Sequence, residues 1–156
     1  MPAPARPLAR GDVVLVPFPF SDRSDAKLRP AVVLWSDPAG ADALLAFVTS
    51  RDVGRAEFGG VALLPTHPEF PGTGLATASR IRTTKLVTVS RALVRRWLGR
   101  LGPQLIADLD RALIAALAIN TMPYREEGRR DERARLLRLH GAGGAAGVIA
   151  DLRAGQ

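Results

Sequence analysis

The chain has 156 residues, 47% of them hydrophobic and 24% charged, which suits one globular domain with its own core. It contains no cysteine, so disulfides and thiolate metal sites are excluded, as fits a reducing cytosol. The formal net charge of +7 is uneven: residues 1–60 carry seven basic and seven acidic side chains, 61–122 eight and three, and 123–156 seven and five. The excess therefore lies in the middle of the chain.

A basic balance of this size points to a polyanion, nucleic acid first. It also follows from an Ala-, Gly- and Arg-rich composition with only two lysines. No apolar run approaches the roughly 20 residues of a membrane span, and the opening MPAPARPLAR lacks the apolar stretch of a secretory signal. The chain is expected to be soluble and cytoplasmic, with no membrane partner.

Residues 1–10, rich in Pro, Ala and Arg, read as a loosely attached arm. Gly11-Asp12 is a turn, and Asp12 to Phe18 (DVVLVPF) a β-branched strand with Pro17 at its end or edge. Residues 19–27 form a polar loop. Ala31 to Trp35 is a second strand, its continuous apolar run suited to burial on both faces. After the turn SDPAGAD, Ala43 to Thr49 is a third strand and the hairpin partner of the second. Residues 50–60 make another charged loop, and Val61 to Leu64 a short fourth strand. PTHPEFPGTG, residues 65–74, is too rich in Pro and Gly for regular structure. Ser79 to Arg82 and Leu86 to Val89 are two further short strands, Ser90 caps a helical turn, and Arg96 to Leu101 closes the β region.

Gly102-Pro103 opens a long helix, since Pro is preorganised for the first helical position. Leu105, Ile106, Leu109, Ala112, Leu113, Ala116 and Leu117 form its apolar stripe, and Met122-Pro123 ends it. Residues 123–156 read as a charged, Gly/Ala-rich tail with one amphipathic helix around Asp131 to Leu139. The expected fold class is mainly β with α: a strongly twisted antiparallel sheet of short strands with a C-terminal helix packed on it.

The two histidines, His67 and His140, lie far apart without metal-spaced partners, and no Walker or Rossmann glycine loop follows a strand. Triad-type nucleophilic catalysis has no material here. What remains is arginine with hydroxyls. Arg29 precedes Pro30, which holds it extended at the entrance of a core strand, and its guanidinium is a rigid fork of donors matched to phosphate. If the second and third strands pair as a hairpin, Arg29 and Thr49 meet at the same rim, with Ser50 next to them. The alternative for Arg29 is a surface salt bridge to Asp22 or Asp25.

GDVVLVPFPFSDRSDAKLRPAVVL, then AFVTSR, then GLATASRIRTTKLVTV and WLGRL before a final helix, resembles the PemK/MazF family of toxin endoribonucleases over roughly residues 10 to 120. The resemblance implies a small SH3-like barrel with a C-terminal helix, occupying residues 11–122, and a homodimer. It implies a type II toxin–antitoxin toxin that cuts single-stranded RNA without a metal or other cofactor. Attack by the 2′-hydroxyl would leave a 2′,3′-cyclic phosphate and a 5′-hydroxyl. The family's catalytic arginine falls on Arg29, its threonine on Thr49 and the following polar residue on Ser50. A cognate antitoxin would compete over the loop at residues 19–28.

Lys27, Arg51, Arg80, Arg82 and Lys85 are candidate phosphate contacts, and Phe20, in preference to Phe18, a candidate for base stacking. Arg80 stands where the family often has an amide-type side chain. The alternative from another class is a non-catalytic binding module of the same fold, acting on nucleic acid or on a protein such as DNA gyrase.

Overall fold

A computed structural model describes residues 6–17, 27–55 and 58–120. Expectations for Phe18, Phe20, Asp22, Asp25, His140 and the tail at 123–156 fall outside these residues. Six strands form one antiparallel sheet: β1 (Asp12–Pro17), β2 (Leu28–Ser36), β3 (Asp42–Thr49), β4 (Gly60–Leu63), β5 (Ser79–Ser90) and β6 (Arg96–Arg100), followed by helix α1 (Pro103–Ala116). The spatial order is β4-β5-β3-β2-β1-β6, so β2 and β3 lie at the centre. This is the mainly β sheet with one C-terminal helix that the strand pattern implies.

The strands β1, β2 and β3 alternate between two cores. Val13, Val32, Leu34, Ala46, Val48 and Ile81 face the helix, where they meet Leu105, Leu109 and Leu113. Val14, Val16, Ala31, Val33, Leu45 and Phe47 form a second core on the other face, closed by Leu8, Val89 and Val94. Ala31 to Leu34 is therefore buried on both sides, as its apolar run requires.

Several elements differ from the sequence expectation. The two short strands at 79–82 and 86–89 are one strand, β5. Thr83, Thr84 and Lys85 between them have no partner in the β3 register, which shifts there. The chain stays extended because the Thr83 N–H donates to the Gly59 carbonyl at 3.2 Å and the Thr83 hydroxyl donates to the same oxygen. Residues 65–74 are not wholly irregular, since Phe70–Thr73 make a 3₁₀ turn. The backbone of that turn lies against Gly99 of β6, where an added Cβ would come within 2.3 Å of the Gly72 carbonyl oxygen.

Helix α1 stops at Ala116, short of Met122. The Ile119 N–H donates to the Ile114 carbonyl and the Ala118 N–H to that of Ala115, a Schellman stop with Ala118 in the left-handed conformation, φ 51°. No glycine marks the position, and Leu117, expected on the apolar stripe, is exposed. At its other end α1 has no capping side chain of its own; Glu69, ahead of the 3₁₀ turn, accepts from Gln104 N–H at 3.0 Å and Leu105 N–H at 2.9 Å. Glu69→Ala is expected to cost about 1–2 kcal/mol, read as a lower urea midpoint, because two orphan N–H groups and a favourable charge at the helix start are lost together.

Residues 6–10, expected to be a loose arm, are pinned. Leu8 is buried, Arg10 donates to the Leu34 carbonyl at 3.2 Å, and Arg6 lies 4.5 Å above the Trp97 ring. The anchor is Asp12, wholly buried, which accepts from the Ala9 N–H at 2.8 Å, from Arg100 at 3.0 Å and from Arg6. Burial alone would raise its pKa, but the Ala9 N–H, the Trp97 side chain, Arg6 and Arg100 outweigh it and hold the carboxyl below its ordinary 3.8. A lowered folded-state pKa stabilises the fold above the unfolded value, and the contribution is lost as pH falls through the folded value. Asp12→Asn is accordingly expected to cost about 2 kcal/mol at pH 7 and distinctly less at pH 3, measured by urea denaturation at both.

Candidate functional site

Residues facing away from α1 at one end of the central strands assemble the site. Ala31 of β2 lies opposite Phe47 of β3, so the same register two residues on sets Arg29 opposite Thr49. On its other side Thr49 pairs with Arg80 of β5, and Phe47 with Arg82. Thr49 thus stands between two arginines on neighbouring strands, at cross-strand spacings of about 5 Å between Cβ atoms. Arg29 also pairs with Val16 of β1, so its backbone is held between two strands. The hairpin geometry expected for Arg29 and Thr49 is present.

The Arg51 N–H donates to the Thr49 Oγ1 at 3.1 Å. That bond uses one lone pair of the hydroxyl and leaves its proton to donate outward. Two hollows border it. The smaller, about 200 Å³, is lined by Arg29, Phe47, Val48, Thr49, Arg51, Arg82 and Lys85. The larger, about 550 Å³, shares Thr49, Arg51 and Arg82 and adds Asp52, Arg55, Phe58 and Arg80. The concentration of guanidinium groups around one hydroxyl suits a phosphodiester.

The candidate residues do not all converge. Ser50 and Lys27 are exposed and line neither hollow. Arg51, Arg82 and Lys85 do line them. Arg80, expected as a phosphate contact, is only 6% exposed, and its guanidinium donates to the carbonyls of Val53 and Arg55. It organises the β3–β4 connection, whose far end is fixed by Thr83 at Gly59. Asp52, Arg55 and Phe58 were not singled out in the sequence. The signal available was the run RDVGRAEF, which places arginines four apart and an aromatic inside a polar loop. Among the described residues no three His, Asp or Glu side chains come together in a way that could hold a metal, and no helix is long and apolar enough to cross a membrane.

The described residues thus form a small curled antiparallel sheet with one C-terminal helix and a Thr–Arg rim. Residues 9–117 match the PemK-like, MazF-like toxin of type II toxin–antitoxin systems, and the chain belongs to that family. A comparison with curated proteins gives no match. Among solved structures, the chain is similar to an endoribonuclease from a mycobacterial species in complex with its cognate antitoxin, at 19% identity and TM-score 0.57 over 75% of this chain and 100% of that one. A second mycobacterial endoribonuclease aligns at 21% identity and TM-score 0.55, covering 79% and 98%. MazF of Deinococcus radiodurans aligns at 20% identity and TM-score 0.54, covering 72% and 97%. At these identities the structural likeness speaks for the fold.

Proposed function

We propose that this toxin is a metal-independent endoribonuclease of single-stranded RNA, with residues 11–122 as the toxin domain. The observation that carries the reading is the Thr49 hydroxyl, oriented by the Arg51 N–H and flanked by Arg29 on the neighbouring strand. The 2′-oxygen attacks the adjacent phosphorus and the P–O5′ bond breaks, giving a 2′,3′-cyclic phosphate and a 5′-hydroxyl. The 2′-hydroxyl proton passes to solvent and the departing oxygen takes one from solvent. Negative charge builds on the phosphoryl oxygens along this path, and fixed donors aimed at it lower the barrier. Arg29 meets that charge with the fixed donors of its cationic guanidinium. Thr49 donates its remaining hydrogen bond to a phosphoryl oxygen, while Arg51, Arg82 and Lys85 hold flanking phosphates. Dependence on the 2′-hydroxyl selects RNA over DNA.

In this reading the partners are the RNA, a cognate protein antitoxin and a second copy of the chain, in the cytoplasm. Family membership and the antitoxin-bound mycobacterial relative support the antitoxin. The test is incubation of a mixed-sequence single-stranded RNA with the protein and EDTA. The expected products carry cyclic-phosphate and 5′-hydroxyl ends, and Thr49→Ala makes them at least about 100-fold more slowly. If folded wild-type protein leaves the RNA intact, the nuclease reading is wrong, and a protein target of the same fold's binding kind becomes the object of search.

A further inference from the structure

The two hollows differ in chemistry as well as size. The smaller, with Arg29 and Thr49, offers cations, a hydroxyl and apolar walls, which suits a phosphate. The larger also holds a carboxylate, Asp52, and an aromatic ring, Phe58, that is 71% exposed. A carboxylate repels phosphate, and an arginine cluster alone has no use for a ring in water. Together they match a nucleobase, which offers a π face for stacking and N–H donors for a carboxylate. A volume of about 550 Å³ lies within the range of small-ligand pockets.

The supports are built in. Arg80 holds the Val53 and Arg55 carbonyls, and Gly59, at φ 72°, is seated against Thr83. Asp52 has φ 52°, a left-handed conformation that Asp and Asn adopt more readily than most residues, and its carbonyl accepts from the Arg55 N–H at 3.0 Å. The Val53 and Arg55 carbonyls, next to Asp52, and the Gly59 carbonyl, next to Phe58, are therefore fastened to β5.

We propose that this hollow is a base-reading subsite that takes one guanine of the RNA beside the scissile phosphate. The base stacks on Phe58 and directs its N1 and N2 hydrogens to the Asp52 carboxylate. Guanine suits the lining best because it pairs two adjacent donors with acceptors, O6 and N7, that an arginine can reach. Uracil offers one donor on that edge, and adenine and cytosine one amino group each. The proposal rests on the RNA reading of the site, with Phe58 in the stacking role for which the sequence suggested Phe20.

The probes are fluorescein-labelled pentaribonucleotides UUGUU, UUAUU, UUCUU and UUUUU, 2′-O-methylated so that no attack can occur, with binding followed by anisotropy. Wild type is expected to bind UUGUU at least about 10-fold more tightly than the others. Asp52→Asn keeps the backbone conformation but puts an amide where the carboxylate was, and removes the preference. Phe58→Ala weakens UUGUU binding by roughly 5- to 150-fold, and Phe58→Trp restores it. Equal affinity for all four, no binding of any, or a guanine preference that survives both Asp52→Asn and Phe58→Ala overturns the subsite. The cleavage assay on mixed-sequence RNA separates the two readings. Preferential binding of UUGUU with the mixed RNA left intact sinks the nuclease and leaves the subsite standing; cutting of the mixed RNA with equal affinity for all four pentamers does the reverse.

Discussion

Arg29→Ala is expected to lower the rate of RNA cleavage by about 10²–10³-fold while leaving the fold intact. The reason is positional. Arg29 lies at the end of β2, half-buried, with Val16 beside it on β1 and, by register, Thr49 on β3. Pro30 narrows its backbone further. A guanidinium held in this way needs little reorganisation when charge develops on the phosphate. Arg29→Lys keeps the charge but loses the planar fork, and is expected to recover only a minor part of the rate. The measurement is single-turnover cleavage of a labelled RNA, with thermal denaturation as the control for folding. A rate for Arg29→Ala within about threefold of wild type would move the stabilising role to Arg51 or Arg82, the other arginines lining the same hollow.

Arg80→Ala is expected to destabilise the protein by about 3 kcal/mol and lower its Tm by about 10 °C. Its guanidinium donates to two carbonyls in the β3–β4 connection from a nearly buried position on β5. Charge-assisted bonds of that kind are worth more than neutral ones, and the aliphatic stem adds packing. The change should also speed hydrogen exchange at residues 51–55, the segment that carries Asp52. Arg80→Lys is not expected to rescue, since one ammonium does not reproduce a fork spanning two carbonyls. The opposite pattern, weaker RNA binding with unchanged Tm and exchange, would return Arg80 to the phosphate-contact role expected from the sequence.

Much of the architecture follows from local pattern. The apolar runs at 12–17, 31–35 and 43–49 form strands whose side chains alternate with period two, and the continuous apolar run at 31–34 needs a core on each face. Gly102-Pro103 and the three- and four-residue spacing of leucines place the start and buried stripe of α1. The meeting of Arg29 and Thr49 also follows from local information, because a hairpin between adjacent strands sets which residues share a rim.

Other features depend on residues far apart in the chain, and here period and propensity carry no signal. Ala118 ends α1 in a conformation for which the sequence shows no glycine. Glu69 caps a helix that starts 34 positions later, Asp12 pins Arg6 and Arg100 together, and Arg80 fastens a loop 25 and 27 residues away. Whether an arginine meets solvent phosphate or a buried carbonyl is decided by register and burial.

The amino-acid sequence by itself determined the strand and helix content, the two-sided burial of β2 and the Arg29–Thr49 rim, because these rest on periodicity and nearest-neighbour pairing. Tertiary structure alone decided that the Arg80 guanidinium meets the Val53 and Arg55 carbonyls and that Asp52 and Phe58 line a hollow with Arg51, Arg55 and Arg82. Those assignments depend on which distant backbone groups are withdrawn from water and which side chains the curled sheet brings face to face.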